Sequence, residues 1–334
     1  MDKKLLSVVG TLAVTLGIFA LVVWRVEATI SPDFQLGSTL TNRFGFVLFG
    51  MLIVLVVYLF SQEDYIWELG VRKVAYMFIG AALYAAFSAL FSSPAFSSPA
   101  ISQISIRPTI VIPMFFGYAF GPLVGFFTGA VGNIIADALG TTGLSPQWSL
   151  GNGLIGFVTG LAFLFKNKKK SMDVAMYISA ALALAAAVLF YFNQNLPNKM
   201  YYDVNNNIFG NSQISFFAGI LIIIGLALTL AVRFGFARSE AVATAVIWGM
   251  LGNILGIGFA AISDIWINEF TLPAAIVGEF LPAAGPNLIF TAVLLPLLVL
   301  AYHLSILYHR STIVYRFIIY TNSIYANLIF HYFS

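Results

Sequence analysis

Long apolar segments, separated by short polar connections, follow one another along most of the chain. We divide them into ten predicted spans, each near the ~20 residues that an α-helix needs to cross the hydrocarbon core of a bilayer. The spans are predicted at 5–24, 43–61, 74–93, 106–120, 121–139, 148–165, 172–192, 213–232, 240–263 and 284–305. This pattern predicts an all-α fold, a polytopic membrane helical bundle with about ten transmembrane helices.

Glycine is concentrated in the fourth to sixth predicted spans. The fourth and fifth spans meet at Gly121-Pro122, where we predict a tight turn, because proline ends one helix and is well placed to begin the next. Glycines then recur on one face of the fifth span and along the sixth: Gly121, Gly125, Gly129, Gly132, Gly151, Gly153, Gly156 and Gly160. Such faces predict close packing between helix backbones.

The composition excludes a soluble globular enzyme and a disordered chain. Hydrophobic residues make up 60% of the 334 residues and charged residues only 9%, against about 25% charged residues in an ordinary soluble domain. Cysteine is absent, which excludes disulfides, thiolate metal sites and cysteine nucleophiles. The sequence contains no G-x-x-x-x-G-K-[ST] or H-E-x-x-H motif, and no G-x-S-x-G stands out. We therefore predict no catalytic residue, no metal site, no cofactor and no enzymatic activity.

The distribution of lysine and arginine predicts the orientation in the cell membrane, because these residues concentrate in cytoplasmic loops. If the N-terminus is placed inside, most of them fall on the inner side, including the lysine cluster at 166–170. Only Arg25, Arg43, Arg107 and Lys199 then fall on the outer side. Both termini of this multi-pass protein are therefore predicted to be cytoplasmic. The first span is predicted to be an uncleaved helix rather than a signal peptide, since its apolar run exceeds the usual ~7–15 residues.

Polar side chains inside membrane spans are costly unless they face a cavity or a partner. In the predicted orientation, those of the fifth, sixth, ninth and tenth spans concentrate towards the outer leaflet. We predict that they line an outward-facing substrate pocket formed by Asn133, Asp137, Trp148, Asn152, Asn253 and Asn287. The alternative is that each asparagine links neighbouring helices by hydrogen bonds, and that Asp137 forms only a structural ion pair with Arg107.

The third span presents a strip of small residues. Ala81 and Ala85 are four residues apart, and Ala82 and Ala86 repeat that spacing beside them. Because alanine lets a second helix approach closely, this strip is a candidate surface for a partner helix.

Together these features resemble the S component of energy-coupling factor (ECF) transporters. The resemblance is closest over 72–165, and rests on the alanine-rich span and on the motifs Ser105-Ile106-Arg107-Pro108, Phe120-Gly121-Pro122 and Trp148-Ser149-Leu150-Gly151-Asn152. It implies a membrane-embedded substrate-binding subunit that captures a micronutrient, often a vitamin, from outside. It also implies partners, namely a transmembrane coupling protein and two ATPase subunits that drive import. The family's A-x-x-x-A contact with the coupling protein maps onto Ala81 and Ala85, or onto Ala82 and Ala86.

The chain is longer than the six-helix core that this resemblance implies. Residues 1–66 are predicted to be an extra N-terminal helix pair, and 67–310 an S-component-like membrane domain. Within that domain, the pair at 172–233 is a possible insertion; alternatively, that pair belongs to the core and 240–305 is the addition. The segment 311–334 is predicted to be an interfacial or loosely ordered cytoplasmic tail, whereas an eleventh span there would place the C-terminus outside.

Two other functions agree with parts of the same pattern. A stand-alone secondary transporter or permease would suit a faint parallel repeat, because G-x-x-G-N-I-[IL] occurs at 129–135 and again at 249–255. The lack of buried charge for ion coupling argues against that function. A membrane scaffold protein would need no outward-facing pocket. The sequence does not identify the substrate; only the family resemblance implies a small, vitamin-like molecule.

Overall fold

A computed structural model of the protein describes residues 2–27, 36–62, 64–91, 96–98, 100–101, 104–140, 143–195, 197–203, 208–213, 216–236 and 239–332. Its long helices are α1 (Lys3–Glu27), α2 (Leu40–Phe60), α3 (Val71–Leu90), α4 (Val111–Phe120), α5 (Pro122–Leu139), α6 (Pro146–Gly160), α7 (Lys168–Phe192), α8 (Phe216–Gly235) and α9 (Glu240–Ile267). A short helix α10 (Leu272–Ala275) and a π-helical turn (Ile276–Phe280) lead into α11 (Leu281–Tyr332). The chain forms two compact units, Met1–Pro296 and Leu297–Ser334.

Each of the ten predicted spans corresponds to a helix, which confirms the all-α polytopic fold. Within the described ranges, seven helices are long and apolar enough to cross a membrane: Lys3–Glu27, Gly37–Phe60, Val71–Leu90, Pro122–Leu139, Lys168–Phe192, Glu240–Ile267 and Leu272–Ile306. Pro108–Phe120 and Gly219–Gly235 are apolar but shorter. The remaining predicted span is α6, which a 3-10 turn at Leu161–Leu164 extends. Residues 92–93 and 214–215, at the ends of two predicted spans, lie outside the described residues.

The predicted turn between the fourth and fifth spans is confirmed. Helix α4 ends at Phe120 and α5 begins at Pro122, with Gly121 between them at φ 115°. Glycine permits this turn because an L side chain rarely adopts that backbone angle. Proline suits the first position of α5 because it has no amide hydrogen to leave unpaired there.

Helices α5, α6 and α9 form the centre of the first unit, and most of their residues are buried. Glycines permit this close packing, since a Cβ on Gly156 would meet the backbone of Gly125 and a Cβ on Gly151 would meet that of Gly256. The small-residue faces thus let helix backbones touch. As a result, the C-terminal ends of α5 and α9 lie beside the N-terminal end of α6, where the polar side chains gather.

Three segments add to the predicted fold or differ from it. Before α4, β1 (Ser97–Ser98) pairs antiparallel with β2 (Ile104–Ser105), a hairpin that was not predicted. Between α7 and α8, β3 (Pro197–Asp203) pairs antiparallel with β4 (Ile208–Gln213), also unpredicted. The predicted tail is helical as far as Tyr332, as part of α11. Its interfacial position stays a prediction.

Candidate ligand-binding site

A cavity of about 510 Å³ opens at one end of the first unit. It lies where α5 and α9 end and where α2, α6 and α11 begin, next to the segment that precedes α4. Its charged and amide-bearing lining residues are Arg43, Arg107, Asn133, Asp137, Gln147, Asn152, Asp264, Asn268 and Asn287. The fold therefore brings polar side chains from distant parts of the sequence to one end of the helical bundle.

One wall of the cavity is an ion pair supported by α5 and α6. Arg107 donates from Nη1 and Nη2 to Asp137 Oδ1, both at 3.1 Å, and Asp137 is 7% exposed. Asn133, one turn earlier on α5, accepts from Arg107 Nη1 at 3.0 Å and donates to Asp137 Oδ2 at 2.9 Å. It also donates to Ser149 Oγ at 3.0 Å. Both carboxylate oxygens of Asp137 are thus hydrogen-bonded within the protein, which a buried charge requires.

A second wall is built around Asp264, near the end of α9. Gln147 Nε2 donates to Asp264 Oδ1 at 3.1 Å, and Trp148 Nε1 donates to Asp264 Oδ2 at 2.8 Å. Arg43 donates from Nη1 to Gln147 Oε1 at 3.1 Å and from Nη2 to Asn268 Oδ1 at 3.4 Å. A guanidinium from the N-terminal helix pair therefore reaches the cavity, where it binds the same glutamine that donates to Asp264.

Five of the six predicted pocket residues line the cavity: Asn133, Asp137, Trp148, Asn152 and Asn287. The sixth, Asn253, is fully buried behind the lining. It accepts from Asn287 Nδ2 at 3.0 Å and donates to the backbone carbonyl of Ala284 at 3.0 Å. Asn253 therefore joins α9 to α11 and positions Asn287, which is the helix-linking role of the alternative hypothesis.

Asn152 differs from the other asparagines of the site. It is 8% exposed and lines the cavity. Its side chain makes no hydrogen bond to another residue in the part of the chain that the structure describes. Because a nearly buried amide without a partner is costly, this side chain is well suited to a ligand in the cavity.

Several lining residues were not identified as site residues from the sequence. The span pattern places Arg43, Gln147 and Asp264 at the outer surface. That shared position at one end of the bundle could have identified them as site residues. Tyr84 and Ser105 also line the cavity, without any comparable signal. The missing information was tertiary, because only the folded chain shows that α2 lies beside the start of α6.

The structure buries Ala81 and Ala85, one of the two alanine pairs predicted to contact a partner. Both residues are 3% exposed, because that face of α3 packs against α5. A Cβ on Gly132 of α5, for example, would lie 2.9 Å from the carbonyl oxygen of Ala81. Ala82 and Ala86, which the spacing also allowed, are exposed. Of the two alanine pairs, only the second is accessible to another chain.

The fold and the cavity define a class, that of multi-pass helical membrane proteins with a polar cavity at one end of the bundle. Comparison with known families is more specific. The model of a family described as "ECF-type riboflavin transporter, S component" matches residues 68–234, half of the chain. The chain belongs to this family, which confirms the resemblance seen in its motifs. The family consists of transporter subunits and is not an enzyme family.

Curated relatives match shorter regions. A UPF0397 protein of Vibrio atlanticus is 30% identical over 124 residues, which are 36% of this chain and 66% of the relative. UPF0397 proteins of Aliivibrio fischeri and of onion yellows phytoplasma are 31% and 33% identical, over 31% and 30% of this chain and 55% and 49% of the relatives. The chain thus spans about half to two thirds of these relatives. No solved structure matches the chain.

The family match and the cavity cover different sets of helices. The matched region includes α3 to α8 and stops before α9. In contrast, no described residue of α7 or α8 lines the cavity, whereas α2, α9 and α11 contribute Arg43, Asp264 and Asn287. Helices outside the matched region therefore complete the cavity. Which helix pair is the addition to a six-helix core stays a prediction.

Proposed function

We propose that this protein is the substrate-binding subunit of an ATP-driven ECF-type importer and that it captures a vitamin-like micronutrient from outside the cell. The polar cavity supports this proposal most directly. Its volume, about 510 Å³, lies within the ~300–1,000 Å³ of small-molecule sites. Asn152 offers the ligand an amide that has no partner among the described residues.

The charges of the lining favour an uncharged ligand. Arg107 pairs with Asp137, and Arg43 lies near Asp264, so the two cations and the two carboxylates balance. A strongly anionic ligand at Arg107 would have to displace Asp137, which is costly inside a protein. The amide groups and the rings of Trp148 and Tyr84 suit a flat heterocycle with several hydrogen-bonding groups. Riboflavin, which the family description names, is the first compound to test.

The proposed orientation places the cavity on the outer side of the membrane, and it can be tested directly because the chain has no cysteine. A cysteine at Asn195, exposed just after α7, is expected to react with an impermeant maleimide applied to intact cells. A cysteine at Lys169, exposed in the first turn of α7, is expected to react only after permeabilisation, because basic segments stay inside. The opposite pattern would contradict capture from outside.

ATP hydrolysis is assigned to separate subunits, because the sequence has no Walker A loop to bind nucleotide phosphates. The proposed contact with the transmembrane coupling protein is the exposed face of α3 that contains Ala82 and Ala86. Small side chains at four-residue spacing allow a helix of the coupling protein to approach the backbone of α3.

Replacing Ala82 and Ala86 together by leucine is expected to weaken assembly with the coupling protein at least ~tenfold, a loss of about 1.4 kcal/mol. The bulky side chains block close helix approach, while the ligand affinity stays unchanged because neither alanine lines the cavity. Co-purification and ATP-dependent uptake into proteoliposomes measure the two effects.

The matched control is Ala181→Leu/Ala185→Leu on α7, where two alanines are also exposed at four-residue spacing. This control should assemble normally. Equal loss of assembly in both double variants would show that α3 is not the specific contact. Uptake by the chain alone, without the ATPases, would instead support a stand-alone secondary transporter.

A further inference from the structure

A second cavity, of about 800 Å³, lies at the other end of the helices that form the ligand cavity. It is formed where α7 and α9 begin and α8 ends. Helix α9 has 28 residues and ends beside the ligand cavity, so the two cavities are about 40 Å apart at ~1.5 Å per helical residue. The charged residues of this second lining are four cations and one acid: Lys166, Lys168, Lys169, Arg233 and Glu240.

The two lysines at the mouth of this basic cavity are available to a ligand. Lys166 and Lys169 are exposed and make no hydrogen bond or ion pair with the described part of the chain. Lys168 is held instead, because its Nζ donates to the carbonyl oxygen of Ala162 at 2.8 Å. The mouth therefore has two free positive charges beside a fixed one.

Arg233 supplies a donor deeper in the basic cavity. Its side chain is 12% exposed, and Nη2 lies 3.5 Å from Asp173 Oδ1. Its Nε is buried and has no hydrogen-bond partner among the described residues. A buried N–H without an acceptor is costly, so Arg233 keeps an unsatisfied donor beside the basic cavity.

The first turn of α7 contributes further donors. The Asn167 side chain accepts from the amide of Lys170 at 2.9 Å. The amides of Lys168 and Lys169 have no acceptor within the helix, since the first N–H groups of any α-helix lack one. These residues line the basic cavity, so the positive end of a 25-residue helix lies at its wall, which favours an anion there.

We propose that the basic cavity binds the phosphate group of an anionic phospholipid. In the predicted orientation this lipid belongs to the cytoplasmic leaflet, where anionic lipids attract basic segments next to membrane helices. Met172 and Ala243 give the cavity an apolar part. Nearby, α7 exposes Val174 and Ile178, against which acyl chains pack. These apolar side chains favour a lipid over a soluble phosphate. The proposal does not depend on the proposed function.

Lipid binding to the purified full-length chain can be measured by native mass spectrometry, with phosphatidylglycerol and phosphatidylcholine as probes. Phosphatidylglycerol is expected to bind more tightly, because only this lipid has a net negative charge. Lys166→Gln/Lys169→Gln should weaken its binding roughly fivefold per lysine, or about 25-fold for the pair. Lys3→Gln/Lys4→Gln removes the same charge at the start of α1, outside the cavity, and should leave binding unchanged.

An inorganic phosphate titration separates the two sources of the phosphate group. Phosphate should not displace phosphatidylglycerol; tight binding of phosphate, with equal retention of both lipids, would overturn the proposal in favour of a soluble ligand. Equal effects of the two double variants would also overturn it. The proposal would also be overturned if the Lys166→Gln/Lys169→Gln variant still bound the lipid but no longer bound the coupling protein. The cavity would then be a contact with that protein. The lipid preference of the unmodified chain needs no variant, so it decides the question even if a variant does not fold.

Discussion

Asp137→Ala is expected to lower the free energy of unfolding by about 3 kcal/mol, the lower end of the cost of breaking a buried ion pair. The substitution leaves the guanidinium of Arg107, which is 14% exposed, without its carboxylate. The loss stays at the lower end because Asn133 still accepts from Arg107. Denaturant unfolding of the detergent-solubilised protein, followed by tryptophan fluorescence, measures the change.

Two controls make the Asp137 result specific. Asp173→Ala removes the same side chain from a longer contact, 3.5 Å from Arg233 Nη2, in which Asp173 is 38% exposed; it should cost less than Asp137→Ala, which removes a carboxylate with both oxygens hydrogen-bonded. Arg107→Gln/Asp137→Asn removes both charges and should recover much of the stability, because no unpaired charge remains. If Asp137→Ala lowers the free energy of unfolding no more than Asp173→Ala does, the Arg107–Asp137 ion pair does not stabilise the fold more than the Arg233–Asp173 pair.

Asn152→Ala is expected to weaken ligand binding five- to 150-fold, the equivalent of ~1–3 kcal/mol for a ligand group that loses its partner. The free energy of unfolding should change little, because the Asn152 side chain has no hydrogen bond within the described residues. Equilibrium titration of the purified chain, without ATP or partner subunits, measures the affinity.

Asn253→Ala is the matched control for Asn152→Ala. Asn253 is fully buried and bonded to Asn287 and to the carbonyl of Ala284, so its loss should mainly reduce stability. Asn287→Ala should reduce both the ligand affinity and the free energy of unfolding, because Asn287 lines the cavity and also donates a hydrogen bond to Asn253. If Asn152→Ala instead destabilises the protein and leaves the affinity unchanged, Asn152 links helices and is not a ligand contact.

The sequence predicts the helices of this protein well, because crossing a bilayer requires long apolar runs and each run is visible in the chain. The turn at Gly121-Pro122 was predictable for a similar reason, since both residues restrict the backbone in known ways. The hairpin of β3 and β4 was not predictable, because the hydropathy pattern does not show that Pro197–Asp203 pairs with Ile208–Gln213.

The candidate site was predictable as a location but not as a set of contacts. Counting span directions brings Asp137, Asn152 and Asn287 to one end of the bundle without knowledge of their neighbours. It does not show that Arg43 reaches Gln147, more than a hundred positions away. Nor does spacing decide which face of α3 is buried, since Ala81 and Ala82 differ by one step around the helix. That choice depends on where α5 packs.

Ligand binding by the chain alone tests the central claim most directly. The chain, purified without coupling protein or ATPases, should retain a small molecule that mass spectrometry identifies, and should bind riboflavin or a related heterocycle at one site per chain. Binding should fall in Asn152→Ala and persist in Ala82→Leu/Ala86→Leu. If no small molecule is retained and no vitamin binds the folded chain, the protein is not a substrate-binding subunit and the polar cavity has another role.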